Sequence, residues 1–391
     1  AADVSGLNEL QASKMWSVSG TLRGFYDDNY NATPTKNGSF GFEVSPSVNL
    51  NVPLQQTTIG LKYTYGLYYY ENRDHLGQNP IDQTHNVDLW LDHAFNERWQ
   101  TKVEDNFVSA QDPALLTGGG ATQRSEGNNI VNTGSAKLDT DWTTLLSTEL
   151  GYKNTFVDYS ASGTGSYSAT LDRDQNLIWL NLLWKLQQDM TAFVGYQFGQ
   201  VNYTADEPLF TGGPTSSYRD YRSHYGYVGL QYNVLANLSV LGKVGVQYSD
   251  FYNSDYTVTS PYVDISATYT YAKGSYAQIG FTQNQASTDV AGLAGGVTQN
   301  QSVSTLYGSI NHQITPKLIA SLVGSWAYSA FNGGTYNNES ENDYGLGVNL
   351  SYSFNQFISA DVGYNYDRLD SDIGGRSYSR NRGYIGVTAT Y

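Results

Sequence analysis

The chain lacks cysteine altogether, and only 15 % of its 391 residues are charged. The missing cysteine excludes a disulfide scaffold, a thiolate-bound zinc or iron–sulfur centre and a haem-attachment Cys-x-x-Cys-His. The charge content lies well below the roughly 25 % of an ordinary globular domain. Long apolar runs are missing too. The longest, residues 177–186, spans ten positions and already contains Asn181 and Lys185. That is far short of the ~20 apolar residues of a transmembrane helix. Basic residues number 21 against 36 acidic ones, a net charge of −15, which disfavours nucleic acid as a partner. The first residues, Ala1-Ala2-Asp3, carry no basic or apolar leader, as expected of an exported chain whose signal peptide has been removed.

What is abundant is tyrosine (34) and glycine (40), in a chain that is 14 % aromatic. These residues fall into a nearly continuous period of two. Over residues 343–354, Tyr344, Leu346, Val348, Leu350, Tyr352 and Phe354 alternate with glycine, asparagine and serine. Successive side chains of a strand point to opposite faces, so such a strand has one greasy face and one wet face. The same pattern recurs at 40–52, 59–69, 87–95, 238–248, 263–271, 358–366 and 385–391.

The breaks between alternating runs are of two kinds. Eight are short: 53–56, 96–98, 139–141, 187–189, 236–237, 272–274, 315–317 and 355–356. Nine are mostly longer and rich in Gly, Ser, Asn and Asp: 27–37, 72–82, 109–128, 160–170, 204–217, 253–257, 285–297, 332–338 and 369–376. The two sets alternate and predict eighteen strands. An even count, short turns at one rim and long loops at the other describe an outer-membrane barrel, with turns in the periplasm and loops outside. The runs match the roughly 9–11 residues of a tilted membrane strand or slightly exceed it, whereas soluble strands average 5–6. Apolar registers also end in aromatic rings, among them Trp16, Tyr26, Phe95, Trp99, Trp142, Trp184, Tyr248 and Phe354, which suit the boundary between headgroups and hydrocarbon. The expected fold is all-β: a closed antiparallel transmembrane β-barrel over residues 16–391. Residues 1–15 form a periplasmic leader, in which 8–14 is either a helical turn, a partial plug or unstructured.

The final stretch, Tyr384-Ile-Gly-Val-Thr-Ala-Thr-Tyr391, resembles the signal read by the barrel-assembly machinery, with Tyr391 as its terminal aromatic. The stretches from Trp16 to Tyr30, Gly41 to Val48 and Leu150 to Phe156 resemble the putative beta-barrel porin type 2 family. The likeness covers nearly the whole chain from Trp16. It implies an outer-membrane barrel of a Gram-negative bacterium and supplies no catalytic residues.

The other register, rich in Ser, Thr, Asn, Gln and Gly, is expected to line a water-filled lumen. Its charged members are Arg23, Arg380 and Arg382 around the closing seam, with Asp361 close by, and Glu43, Lys62, Asp88, Asp92, Lys102 and Glu104 on the second to fifth strands. Two readings stay open. A basic arc faces an acidic one across the bore, or the charges pair with neighbours along the wall. Inward Tyr68, Trp90 and Trp179 either stack on sugar rings or pack against an infolded loop. The longest connection, with Gly118, Gly119 and Gly120, is a candidate constriction. Asp105 is an anomaly: its register aims it at lipid, where charge is costly. A bulge or a place near the rim would account for it.

Enzyme patterns fail. The five histidines are scattered, Asp92 and His93 point to opposite faces, and no Gly-x-Ser-x-Gly elbow occurs. Asp367, Asp370 and Asp372 before Gly374-Gly375 are weak Ca²⁺ candidates without an EF-hand pattern, and a solvated loop is the preferred reading. No cofactor is called for. The expected function is a porin passing small hydrophilic solutes and ions. The expected partners are outer-membrane lipid and lipopolysaccharide, the assembly machinery and, in an oligomer, further copies of the chain. The alternatives are an occluded structural or adhesive barrel, or an export conduit for a polysaccharide or periplasmic partner.

Overall fold

In a computed structural model, residues 15–110 and 129–391 are described. Alternating residues rich in Val, Leu, Tyr, Thr and Ser favour extended backbone, and the chain forms eighteen long strands. They are β1 (Trp16–Asp27), β2 (Ser39–Pro53), β3 (Thr57–Tyr70), β4 (Ile81–Ala94), β5 (Trp99–Ala110), β6 (Asn129–Asp141), β7 (Leu146–Tyr159), β8 (Arg173–Gln187), β9 (Met190–Tyr203), β10 (Tyr221–Leu235), β11 (Leu238–Phe251), β12 (Tyr256–Ala272), β13 (Ser275–Ala286), β16 (Asn300–Thr315), β17 (Leu318–Asn332), β18 (Ser340–Ser353), β19 (Ile358–Ser371) and β20 (Tyr378–Thr390). A small hairpin, β14 (Gly292–Leu293) with β15 (Gly296–Val297), lies within one loop. Two short helices, α1 (Glu71–His75) and α2 (Tyr167–Leu171), lie in two others.

Every long strand pairs antiparallel with its neighbours, and β20 pairs with β1 to close an 18-stranded sheet. Closure leaves no row of unpaired backbone groups. Thr21 and Thr388 bridge the seam through their hydroxyls at 2.8 Å. Tyr391 continues the pairing beyond β20, exchanging backbone hydrogen bonds with Val18 at 2.8 and 3.1 Å, and its ring lies 5.8 Å from that of Trp16.

The expected strand count and alternation of connections are both met. The strands are 12 to 17 residues long, so they extend past the thickness of a bilayer. Four of the eight short turns, at 188–189, 236–237, 273–274 and 316–317, have two residues and a register shift beside them. The bulge lets so tight a turn match the strand twist.

The apolar register is the exposed one. Leu22, Val228, Ile279 and Ile385 are 57–67 % exposed, and their neighbours form a continuous band round the barrel. A band of this extent is stable only against hydrocarbon. Exposed Trp16, Phe95, Trp99, Trp142, Trp184 and Phe354 ring it at the turn end, and Tyr26, Phe156, Tyr248, Tyr328 and Tyr344 toward the loop end.

On the inner face, large rings lie flat on glycines of the neighbouring strand. Trp90 covers Gly60, Trp179 covers Gly151, Tyr307 covers Gly280 and Tyr384 covers Gly363, each directly opposite in register. A Cβ added at any of these glycines would land inside the ring. Hence Trp90 and Trp179 pack on the wall itself, and neither expected partner, a sugar ring or an infolded loop, is needed to hold them. Replacing Gly60 or Gly151 by valine must lift the indole and is expected to cost about 1–3 kcal/mol. An unchanged urea midpoint for the refolded variant would refute this packing.

Candidate functional site

The candidate site is the inner face. Because register fixes facing, Arg23, Glu43, Lys62, Asp88, Asp92, Lys102, Glu104, Asp361, Arg380 and Arg382 all stand on the register opposite the apolar band. The structure brings most of them together laterally, along the wall. Arg23 Nε donates to Asp361 at 3.0 Å and its Nη1 to Glu43 at 3.4 Å, so one guanidinium on β1 joins carboxylates on β19 and β2. Lys62 lies opposite Asp88, and Asp92 opposite Lys102. Lys102 contacts Glu104 at 2.6 Å, and Asn106 donates to Asp88 at 2.5 Å. The pattern continues through Lys137, which reaches Asp139 at 2.9 Å and Glu149 at 3.3 Å. Glu149 also accepts from the Trp179 indole at 2.8 Å. Of the two readings offered by the sequence, pairing with neighbours along the wall describes these contacts.

Arg380 differs from the rest. It is 1 % exposed and donates to fully buried Asp27 through Nε and Nη2, at 2.8 and 2.5 Å. This pair fastens the seam and presents no open charge to the bore. Arg382 lies 4.1 Å over the Phe25 ring and 5.4 Å from that of Tyr68.

Between β17 and β3, across the seam, the inner wall is mostly hydroxyl. Ser17, Ser19 and Thr21, Ser45 and Ser47, Ser351 and Ser353, and Thr388 and Thr390 line a cavity of about 390 Å³ with Arg23, Lys62 and Asp361. Such a surface binds water and polar solutes without holding them tightly.

The loop end is built differently. Residues 160–172, 204–220 and 287–299 fold inward and bury apolar side chains on the wall. Leu171 of α2 packs on Val157 and Tyr159, and Val290 on Phe331 and Ile373. Arg219, at the end of a 3₁₀ turn (Ser216–Arg219), is fully buried among these loops. It donates to the carbonyls of Thr288 (3.0 Å) and Thr170, and lies 4.6 Å over the Tyr203 ring. Nothing around it in the chain marks it as buried, because an arginine in a polar loop ordinarily faces water.

The remaining candidates fall elsewhere. Gly118, Gly119 and Gly120 lie outside the described residues, as do residues 1–14 of the proposed leader. Asp367 stands on the inner register opposite Arg380, Asp370 pairs with Arg368 at 2.9 Å, and Asp372 accepts from Ser340, so the three carboxylates do not converge. Asp105 faces outward without a bulge in either flanking pairing. It accepts a hydrogen bond from Asn132 at 3.1 Å, beside Gly134. The Nδ1 atoms of His85, His224 and His312 lie 2.7–2.9 Å from tyrosine hydroxyls on the adjacent strand or, for His312, two strands away, all on the outer register.

A closed eighteen-stranded barrel with an apolar girdle and a polar inner wall defines the outer-membrane porin class. The profile of the family described as "Putative beta-barrel porin 2" matches residues 16–391, and the chain belongs to that family. Among solved structures it is similar to OccK1 (OpdK) of Pseudomonas aeruginosa, with 11 % identity, 96 % of this chain and 99 % of that one covered, and a TM-score of 0.50. A second structure of that organism's OpdK, with vanillate, has 9 % identity, the same coverage and a TM-score of 0.50. OccAB4 of Acinetobacter baumannii has 12 % identity over 97 % of this chain and 99 % of that one, with a TM-score of 0.47. At such identities the likeness concerns the fold alone. No curated protein sequence matches the chain significantly.

Two predictions follow from these contacts. Asp27→Ala removes the carboxylate that accepts two hydrogen bonds from the buried Arg380 guanidinium, and breaking such a buried pair costs up to about 3–5 kcal/mol. Heat-modifiable migration in SDS gels should be lost at lower temperature, and an unaltered transition would contradict the role of the pair. The second concerns pH. Burial raises the Asp172 and Asp220 carboxyls above the ordinary carboxylate range, although hydrogen bonds from Ser168 and from the Tyr159 and Tyr203 amides oppose it. At Asp28, burial pushes the same way, but Lys36 and Asn381 outweigh it and hold that carboxyl low. A raised folded-state value means that the folded loops take up protons more readily. Stability is therefore gained as pH falls from neutral through that raised value, while the Asp28 tie persists to lower pH. Amide exchange, corrected for intrinsic rates, should slow in residues 160–172 and 204–220 on mild acidification and stay unchanged in 28–38. Loss of protection in all three together would refute it.

Proposed function

We propose that the protein is a passive diffusion channel for small hydrophilic solutes and ions across the outer membrane of a Gram-negative bacterium. The observation that supports this best is the hydroxyl-lined inner wall around the cavity at the turn end. A barrel serving only as a scaffold has no need of a continuous wet face. The turns and the N-terminal residues would then face the periplasm and the long loops the outside. Arg23, Lys62, Asp88, Asp92, Lys102, Glu104 and Asp361 would border the aqueous path, with Glu43 beside Arg23. The final strand ending in Tyr391 would serve recognition by the assembly machinery, and outer-leaflet lipopolysaccharide would contact the girdle. The inward packing of loops around Arg219 favours a second reading, an occluded structural or adhesive barrel.

Single-channel recording of the refolded protein, with a salt gradient, separates the two. Steady ohmic steps support the channel, and a barrel that never conducts, with residues 288–298 present or excised, removes it. With a net charge of −15, the expected reversal potential favours cations. Glu43→Gln combined with Asp361→Asn leaves Arg23 without the carboxylates it now contacts and should move the reversal potential toward anions. No movement would place Arg23 outside the conducting path.

A further inference from the structure

Four loops at the loop end of the barrel are joined in a single line of polar contacts. It starts at the Thr170 carbonyl between β7 and β8, passes through Arg219 just before β10, and continues to the Thr288 carbonyl between β13 and β16. The next residue, Asp289, accepts from Arg376 Nη2 at 3.0 and 3.1 Å. Arg376, between β19 and β20, reaches on to Glu341 of β18. In an eighteen-stranded ring the connections β7–β8 and β19–β20 stand on opposite sides. The line therefore links two opposite sides of the rim, with residues 288 and 289 at its middle.

We propose that residues 287–299 form a bar closing the loop-end mouth, held between Arg219 and Arg376, and that freeing Asp289 from these arginines opens the channel. The proposal rests on the channel reading above and names its regulation.

The two fastenings are unequal. On the Arg376 side the guanidinium meets the carboxylates of Asp289 and Glu341, and Val290 and Ile373 of the same two loops pack together with Phe331 of β17. On the Arg219 side the hydrogen bonds go to two neutral carbonyls, and the buried Nε has no hydrogen-bond partner among the described residues. A buried charge with neutral partners recovers little of its lost hydration. The bar is thus tied firmly at one end and weakly at the other, the arrangement of a hinge and a catch. Asp289 acts on both, since its negative charge also works on Arg219 across space.

The test uses the full-length protein in planar bilayers, with folding checked by heat-modifiable migration. Asp289→Asn keeps the shape of the side chain and removes the charge shared by both arginines, so the open fraction should rise several-fold over wild type. A second variant, Asp289→Cys with Arg376→Cys, exploits the absence of native cysteine. It should conduct freely as prepared and close when a short bis-maleimide joins the two positions. Because it is recorded before and after linking, a change cannot come from misfolding. If linking leaves conductance unaltered and Asp289→Asn behaves as wild type, the bar is wrong while the channel stands. If no variant conducts, even with residues 288–298 excised, the channel reading fails and the bar with it.

Discussion

A backbone amide in hydrocarbon has no water to bond to, and an unpaired one costs several kcal/mol. Most of the architecture follows from that constraint. It forbids a free edge, so β20 must find β1 across nearly the full length of the chain. It also explains why the seam carries its own fastenings: the Thr21–Thr388 hydroxyl bridge, the Asp27–Arg380 pair and the run-on of Tyr391 against Val18. Once the backbone is paired in a ring, side chains have two places to go, and alternation assigns them. The outer face takes the apolar residues and the inner face the polar ones.

The inner face then has to be kept both wet and firm. Hydroxyl side chains keep it wet across the seam, and bonds between neighbouring strands keep it firm elsewhere. Ring-on-glycine packing is the apolar counterpart. Trp90 on Gly60 and Trp179 on Gly151 bury large surfaces without narrowing the bore, because each ring lies in a space that only glycine leaves open. At the loop end the principle changes. There loops pack inward on the wall through small apolar clusters.

How much of this was legible in the sequence depends on range. Alternation such as that of Tyr344 to Phe354 reports on a single strand, so the strand count, the facing of each residue and the order of turns and loops could be read directly. Asp105 was recognisable as an oddity for the same reason. Its partner Asn132 was not, because it lies on another strand and depends on register. That Asp361 lies close to Arg23 followed from closing the ring, but which carboxylates Arg23 contacts depends on the register of β2 and β19. Least legible was Arg219. Nothing in Ser216-Ser217-Tyr218-Arg219 distinguishes a buried arginine from a solvated one, and its burial is created by two other loops. The short helices α1 and α2 were missed because five residues carry no periodic signal.

On the channel reading, the lateral sharing of charge has a consequence for whatever passes along the bore. Where each cation on the wall is shared with carboxylates a few ångströms away, field lines run along the surface and return to it. A small ion on the axis then meets closely spaced multipoles, whose influence fades much faster with distance than that of a single charge. A broad solute that brushes the wall meets the individual groups at close range. Discrimination by charge in such a bore depends on girth: slight for small ions on the axis, and marked for molecules wide enough to touch the sides.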